Sequence, residues 1–402
     1  LLKNNWSIYD SIRSLPWPGA AVVTVTIVHL AKGLVSKYTK NCLDGRKVQI
    51  INSHLRPKIE RPDPKPLSIN RKFSYQGVIL RGKGFVLTPG EKNDLEKKNI
   101  LNKQKIKEYI GGDEVNSSPT QSPNRFVIDM DCSSLDDLES WADLKDHLVS
   151  NVKPERDKAK DAAGYPWWLF WRPRGEMHEA LNGLTRCIVT SRVSSNLQFS
   201  FQPIGRVFSE ALYVFPMSTI TSFSVLQSRI HDPWAWLWSS TMKNDIRYSA
   251  DDCFSTFPFP NRDPMTIIEP LEKAGAALYQ ARARYMVDIN EGLTVAYNAL
   301  KAPERDDEEI LDLRYRHEAL DRAVLDAYGW TDIDVPPYCP ATPEEEVALE
   351  AFNDEIIDRL YVLNADRAAE EEQQGLTMTA TKKKSPKKTK MPTKPNSTLD
   401  LF

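Results

Sequence analysis

Apolar and polar positions follow three different rhythms along this chain. Residues 21–28, Ala-Val-Val-Thr-Val-Thr-Ile-Val, follow a Pro-Trp-Pro-Gly break. They are β-branched on both faces, which predicts a buried central strand. A short strand is expected at Val48-Gln49-Ile50-Ile51. Pro57, Pro62, Pro64 and Pro66 stiffen the connector that begins at residue 56 and predict a domain boundary there. Between 67 and 262 the rhythm is that of short strands among helices. Strands at 73–80 and 84–87 flank Arg81-Gly82-Lys83, a charged helix is expected over 90–108, and 186–201 pairs with 206–215 around Pro203-Ile204-Gly205. Residues 222–241 read as helical, interrupted or started at Pro233. Beyond 263 the period becomes helical, first over 266–288. Thr342-Pro343-Glu344-Glu345 then marks a helix start, with Leu349, Phe352, Ile356, Leu360 and Leu363 on one face. Residues 371–396 lose all apolar periodicity, as a disordered basic tail does.

Charge changes this picture more than composition does. The formal net charge of −2 is a cancellation: 1–262 carry +9, 263–381 carry −17 and 382–402 carry +6. A basic body suits a polyanionic partner, and the acidic stretch is a distinct electrostatic object. The apolar run at 20–31 is too short and too interrupted to cross a bilayer, and no signal peptide is visible, so no membrane is expected. Cys42, Cys132, Cys187, Cys253 and Cys339 are scattered without a C-x-x-C, which argues against zinc or a disulfide framework and for the reducing cytoplasm. Asp113-Glu114 and Asp251-Asp252 lack the accompanying Lys of a nuclease site, so no metal is expected and both pairs read as structural. The chain opens Leu1-Leu2 without Met, the expectation being a piece of a longer protein.

Nine strings in a fixed order carry a family likeness. They are SLPWPGAAVVTVTIVHLAKG (14–33), SYQGVILRGKGFVLTPGE (74–91), YIGGDEVNSSP (109–119), RFVIDM (125–130), VKPERD (152–157), RCIVTSRVS (186–194), IRYSADDCFSTFPFP (246–260), EGLTVAYN (291–298) and LDAYGW (325–330). Together they resemble the C-terminal part of large bacterial adenine-specific DNA methyltransferases, the fused type II restriction–modification enzymes and related phage-defence methylases such as those of DISARM. The resemblance implies an α+β chain. Residues 1–55 would be the last strands of a Rossmann-like methyltransferase sheet, 56–262 a mixed α/β target-recognition domain, 263–370 an acidic helical module, and 371–402 the disordered tail. It also implies double-stranded DNA and the catalytic portion as partners, with other defence subunits as further candidates. S-adenosylmethionine would be the cofactor of the complete enzyme. This chain departs from the pattern: it has no Gly-rich cofactor loop and no Asn-Pro-Pro-Tyr, its one Pro-Pro being Pro336-Pro337. The expectation is therefore that the chain alone binds no cofactor and completes no catalysis.

Several residues stand out for DNA. Trp17 precedes the first predicted strand, where the resembled family places an aromatic against the extruded base; a core tryptophan between two prolines is the alternative. Arg81 and Lys83 suit a slim glycine hairpin tip at a phosphate backbone, or a solvated turn. Arg172 and Arg174 end the aromatic run 165–171, whose tryptophans fit a core. Arg192, Ser194 and Asn196 follow a strand and have the chemistry to read bases or hold phosphates, or to bond strand ends. Lys243 and Arg247 offer backbone contacts, or ion pairs with Asp245, Asp251 and Asp252. The terminal Thr398-Leu399-Asp400-Leu401-Phe402 resembles a sliding-clamp peptide, with Leu399, Leu401 and Phe402 as its docking side chains. A second function class stays open: a partner-binding or DNA-mimicking subunit whose −17 segment docks a basic surface.

Overall fold

The computed structural model describes residues 5–18, 24–33, 41–131, 134–160, 164–242 and 245–376. Lys243, Asn244, the lysine-rich segment and the clamp-like residues Leu399, Leu401 and Phe402 lie outside the described residues.

The first element is a small sheet. Strands β1 (Trp6–Pro16) and β2 (Thr24–Lys32) are antiparallel, β3 (Asn41–Leu43) runs parallel to β1, and β4 (Arg46–Val48) closes a hairpin with β3. The order β2-β1-β3-β4 puts β2 at an edge, not at the centre expected for 21–28. Thr24, Thr26 and His29 make β2 half polar, so it faces water, and Val28 and Leu30 are exposed. Ile50 and Ile51 fall just after β4, and Ile51 packs with Ile8 and Leu43 in a core of its own. The proline-rich connector follows as coil, as its four prolines require.

The middle of the chain builds three more sheets. In order, it forms β5 (Tyr75–Gln76), β6 (Val86–Leu87), α1 (Pro89–Lys98), β7 (Ile106–Ile110), α2 (Gly112–Ser117), β8 (Arg125–Ile128), α3 (Leu135–Glu139), α4 (Ala142–Asn151), α5 (Lys153–Lys158) and α6 (Gly175–Leu181). Next come β9 (Arg186–Ser191), β10 (Val193–Ser194), β11 (Ser200–Pro203), β12 (Val207–Phe208), β13 (Leu212–Phe215), α7 (Ile220–Gln227), α8 (His231–Trp238), β14 (Ser240–Met242) and β15 (Asp245–Arg247). The sheets run β12-β7-β8-β6, β11-β9-β13-β5 and β10-β15-β14.

Three local expectations need correction. The helix expected over 90–108 is α1 alone, started by a Thr88–Glu91 capping box. Asn99 then accepts from the Leu101 N–H and turns the chain toward β7. The strand expected over 186–201 folds back on itself, so that β9 pairs with both β11 and β13. Finally, Arg81-Gly82-Lys83 is no hairpin tip. β5 and β6 lie in different sheets, and these residues form the crossing between them.

Residues 263–376 are helical: α9 (Glu269–Asp288), α10 (Leu293–Leu300), α11 (Glu308–Tyr328) and α12 (Pro343–Gln373). The Thr342 side chain accepts from the Glu345 N–H and starts α12, while the Glu345 carboxylate takes the Ala341 N–H. These helices share both large buried clusters with residues 67–262. Leu278 and Leu320 join Val127 and Phe208, whereas Leu271, Val324 and Ile356 join Phe215 and Trp234. α9 crosses α7 at Gly275, where an added Cβ would collide with the Ser224 hydroxyl.

One face of α12 sets part of the acidic charge against the N-terminal residues. Glu350 holds Arg13 (2.6 Å) and Arg46 (2.9 Å), and Asp354 holds Arg56 (2.7 Å), whose side chain is only 8% exposed. Asp358 meets Lys58 (3.0 Å) and Arg61 (3.6 Å). Asn364 brackets the Lys65 backbone, accepting from its N–H and donating to its carbonyl, and Glu371 accepts the Ser68 N–H. From 350 to 371 this track is ~32 Å of helix, and it fastens the small sheet and the connector to the body.

Candidate nucleic-acid interface

Four arginines from distant parts of the sequence line two adjoining open depressions. Arg172 and Arg174 border the first, together with Gln76, Tyr213 and Asp251. Arg192 and Arg247 border the second, with Asp113, Asn116, Arg125 and Glu210. The join between them is structural. Arg192 sits at the corner where the chain leaves β9 for β10; its N–H donates to the Ala211 carbonyl and its own carbonyl accepts from Tyr248. Across β10 and β15, Val193 stands opposite Arg247. The Arg192 guanidinium lies 5.8 Å from the Tyr213 ring and donates to the Glu210 carbonyl at 3.1 Å.

The charges on this face are held by neutral groups. Arg174 donates to the Gly77 carbonyl (3.3 Å) and to the Gln76 side-chain oxygen (3.0 Å). Burial, with repulsion from Arg172 and Arg192, lowers the Arg174 pKa. Arg174 itself stands in the left-handed region at φ 60°. Among the described residues no carboxylate is within ion-pair distance of Arg172, Arg174, Arg192 or Arg247. Beside them Arg81 and Arg172 both stand over the Trp171 ring, at 5.4 and 5.1 Å. Lys83 is exposed, with its N–H bonded to the Glu155 carboxylate. The floor beneath Arg174 is tight: at Gly77 an added Cβ would collide with the carbonyls of Phe208 and Ser209.

Other expected residues fall elsewhere. Asn196 is 3% exposed, and its amide donates to Asn298 (2.9 Å) and Ser195 (3.3 Å), so it cannot read a base from the surface. The correction has a plain cause: residue 196 has already left β10 and turned into the core. Ser194 is half-buried on β10. Trp17 is 52% exposed just beyond β1, which rules out the core alternative. Trp167 and Trp168 pack against the first large core, edge to face at 5.6 Å. Lys243 lies outside the described residues.

The sequence did not draw attention to Arg125, Tyr213 or Glu210. Arg125 forms a two-pronged pair with Glu114 (2.6 and 2.8 Å) at the edge of the second depression. Burial alone would raise the Glu114 pKa; Arg125 and the Gly111 N–H overcome it and hold the carboxyl below its ordinary value. The available signal was Gly111-Gly112 before Asp113-Glu114, since a Cβ at Gly111 would crowd the Arg125 guanidinium. Asp252 accepts from the Ser249 hydroxyl at 2.5 Å. No group of three or more His, Cys, Asp or Glu among the described residues is arranged to hold a metal.

The one Pro-Pro-Tyr stretch is built into the helical layer: the Pro336 and Pro337 carbonyls accept from Arg229, and Tyr338 stacks on His317 at 4.4 Å. No helix is long and apolar enough to cross a membrane among the described residues.

Fold and site thus define a class: a mixed α/β module with an open, arginine-lined face on which, among the described residues, Arg172, Arg174, Arg192 and Arg247 have no carboxylate at ion-pair distance. The chain belongs to the family described as "MmeI, target recognition domain", whose model matches residues 61–261. It is 26% identical over 334 residues to DNA methyltransferase A of Bacillus subtilis (strain 168), a match covering 81% of this chain and 34% of that protein. In fold it is similar to the type IIL restriction–modification enzyme MmeI solved in complex with DNA, with a TM-score of 0.62 at 20% identity, covering 89% of this chain and 47% of that one. The chain therefore spans about a third of the curated relative and under half of the solved one.

Proposed function

We propose that this chain is the DNA-recognition portion of a restriction–modification methyltransferase, acting on adenine N6 with S-adenosylmethionine held by a catalytic portion outside these residues. One observation carries the reading: Arg172, Arg174, Arg192 and Arg247 converge from separate segments on one face without a carboxylate partner among the described residues. Duplex phosphates supply the missing negative charge, and the rims of the depressions, Arg125, Asn116 and Gln76 among them, lie where base edges would be read. Arg81 and Lys83 extend the same track. The small sheet β1–β4 is the part that would meet the catalytic portion, with the exposed Trp17 toward the extruded base. A phage-defence setting of the DISARM kind and the cytoplasm are consistent with this reading. A DNA-mimicking role is disfavoured, because the α12 carboxylates face the cations of residues 13–65.

The test has two parts. A labelled duplex should bind the chain with an affinity that falls steeply as salt rises. Adding a catalytic portion from the same operon should then transfer labelled methyl groups from S-adenosylmethionine to adenine. Salt-independent binding, or no transfer from a mixture whose parts are folded, would count against the proposal.

A further inference from the structure

Arg156 is a buried cation. The residue is 4% exposed, and no carboxylate among the described residues lies within ion-pair distance. Its guanidinium instead reaches three backbone carbonyls: Nε donates to Arg81 (2.6 Å), and Nη2 donates to Leu80 (2.9 Å) and Leu169 (2.5 Å). Among the described residues Nη1 has no hydrogen-bond partner, and the Phe85 ring lies 5.8 Å from the guanidinium carbon. Burying a guanidinium this way is costly, and one that served packing alone could be replaced by an apolar side chain.

The carbonyls it gathers belong to two segments that meet nowhere else in sequence. Residues 79–81 run antiparallel to 169–172: the Ile79 and Arg172 backbones exchange both bonds (3.1 and 3.0 Å), and the Trp171 N–H reaches the Leu80 carbonyl at 3.4 Å. This short pairing ends at Arg81, a non-glycine residue held at φ 51°. Such a conformation persists only where its surroundings over-determine it. Arg156 closes the open end of the pairing, and its neighbour Glu155 accepts the Lys83 N–H at 3.2 Å. α5 therefore clasps the whole crossing 80–83 from beneath. What stands above the clasp is the Trp171 indole with the Arg81 and Arg172 guanidiniums over it.

We propose that Arg156 is a positioning residue for DNA: it locks the crossing 80–83 against 169–172 and so holds Arg172 over Trp171, ready to meet a phosphate. The inference rests on the DNA-recognition reading, and its test is built so that the two fail separately. The full chain is compared with Arg156→Gln, Arg156→Lys and, as a control for general destabilisation, Leu144→Ala, a buried position on α4 in the same core. Amide hydrogen exchange, followed without DNA, reports the positioning itself. Both Arg156 variants should speed exchange at 79–82 and 169–174 about tenfold. Lys keeps the charge but cannot fork to three carbonyls. Duplex binding over a salt series reports the consequence. The slope of log affinity against log salt should fall by about one in Arg156→Gln and Arg156→Lys, as the Arg172 phosphate contact is lost. Leu144→Ala should lower stability and leave that slope in place.

Unchanged exchange at the two segments would overturn the proposal. So would lost protection with an undiminished slope, or an equal loss of slope in Leu144→Ala. If the parent chain fails to bind any duplex, the DNA reading falls, and the exchange measurement alone decides whether Arg156 organises the face.

Discussion

Arginines on two sides of this molecule end on different partners. At the α12 seam Arg13, Arg46 and Arg56 end on carboxylates, with distances between 2.6 and 2.9 Å. On the open face Arg174 and Arg192 end on carbonyl or amide oxygens, and Arg172 stands over an indole. A carboxylate fixes a guanidinium and cancels its field. A carbonyl or a ring fixes it and leaves the field in place. The same residue type is thus an adhesive in one place and an exposed charge in the other, and the partner decides which. The α12 carboxylates Glu350, Asp354 and Asp358, a part of the −17 of residues 263–381, belong to the first use, and the +9 of the body to both.

The comparison can be broken most forcefully on the open face. Replacing Arg172, Arg192 and Arg247 together with Ala should reduce duplex affinity by roughly 30- to 100-fold near 100 mM salt and lower the salt slope by about 2.7. Thermal unfolding should barely move. Fluorescence anisotropy across a salt series reads both; an unaltered slope would place the phosphates elsewhere.

The seam should answer in the opposite way. Asp354→Ala leaves Arg56 buried with the residue-354 backbone carbonyl at 3.0 Å and the longer ion pair to Asp358 at 3.7 Å. It should lower unfolding stability by about 2 kcal/mol, less than the ~3–5 kcal/mol that breaking a fully buried pair costs, because Asp354 is partly exposed and Asp358 stays at 3.7 Å. Its duplex affinity should match the parent. A large loss of affinity with intact stability would reverse the assignment of the two faces.

The smallest effect belongs to the pair that mixes the two uses, Arg125 with Glu114. Glu114 is held below its ordinary value of 4.5, so its contribution is complete above that value and disappears as pH falls through the lower folded value. Glu114→Gln should therefore cost about 1 kcal/mol near neutrality, discounted for the partly exposed Arg125, and progressively less as the solution becomes acid. Urea unfolding at several pH values measures this, and a constant difference down to pH 2 would show that the pair is not ionic.

Local signals in the sequence were read well where one element suffices to make them. The Thr342 cap, the break before Pro233, the proline connector and the apolar face of α12 are all of this kind. Arg172, Arg174, Arg192 and Arg247 share the face that the sequence could only propose residue by residue. What was not legible depends on pairing across long separations. β13 meets β5 and β12 meets β7 roughly a hundred residues or more apart, so neither the crossing at 81–83 nor the corner at Arg192 has a local signature. Asn196 was misplaced for the same reason, since its inward partner Asn298 comes from a different layer. The α12 carboxylates Glu350, Asp354 and Asp358 were read as surface because their partners, in residues 13–61, lie some three hundred positions away.

Gly77 adds a consequence for how such a module changes. Its backbone is pressed against the carbonyls of Phe208 and Ser209, so no residue with a side chain fits there without moving the strands beneath. A few ångströms above it, the positions around Arg172 to Glu176 are open to solvent. Variation is admitted at the rim and refused at the floor. A library that diversifies the rim while keeping Gly77 fixed should return many folded members with altered sequence preference, whereas one that randomises Gly77 should return almost none.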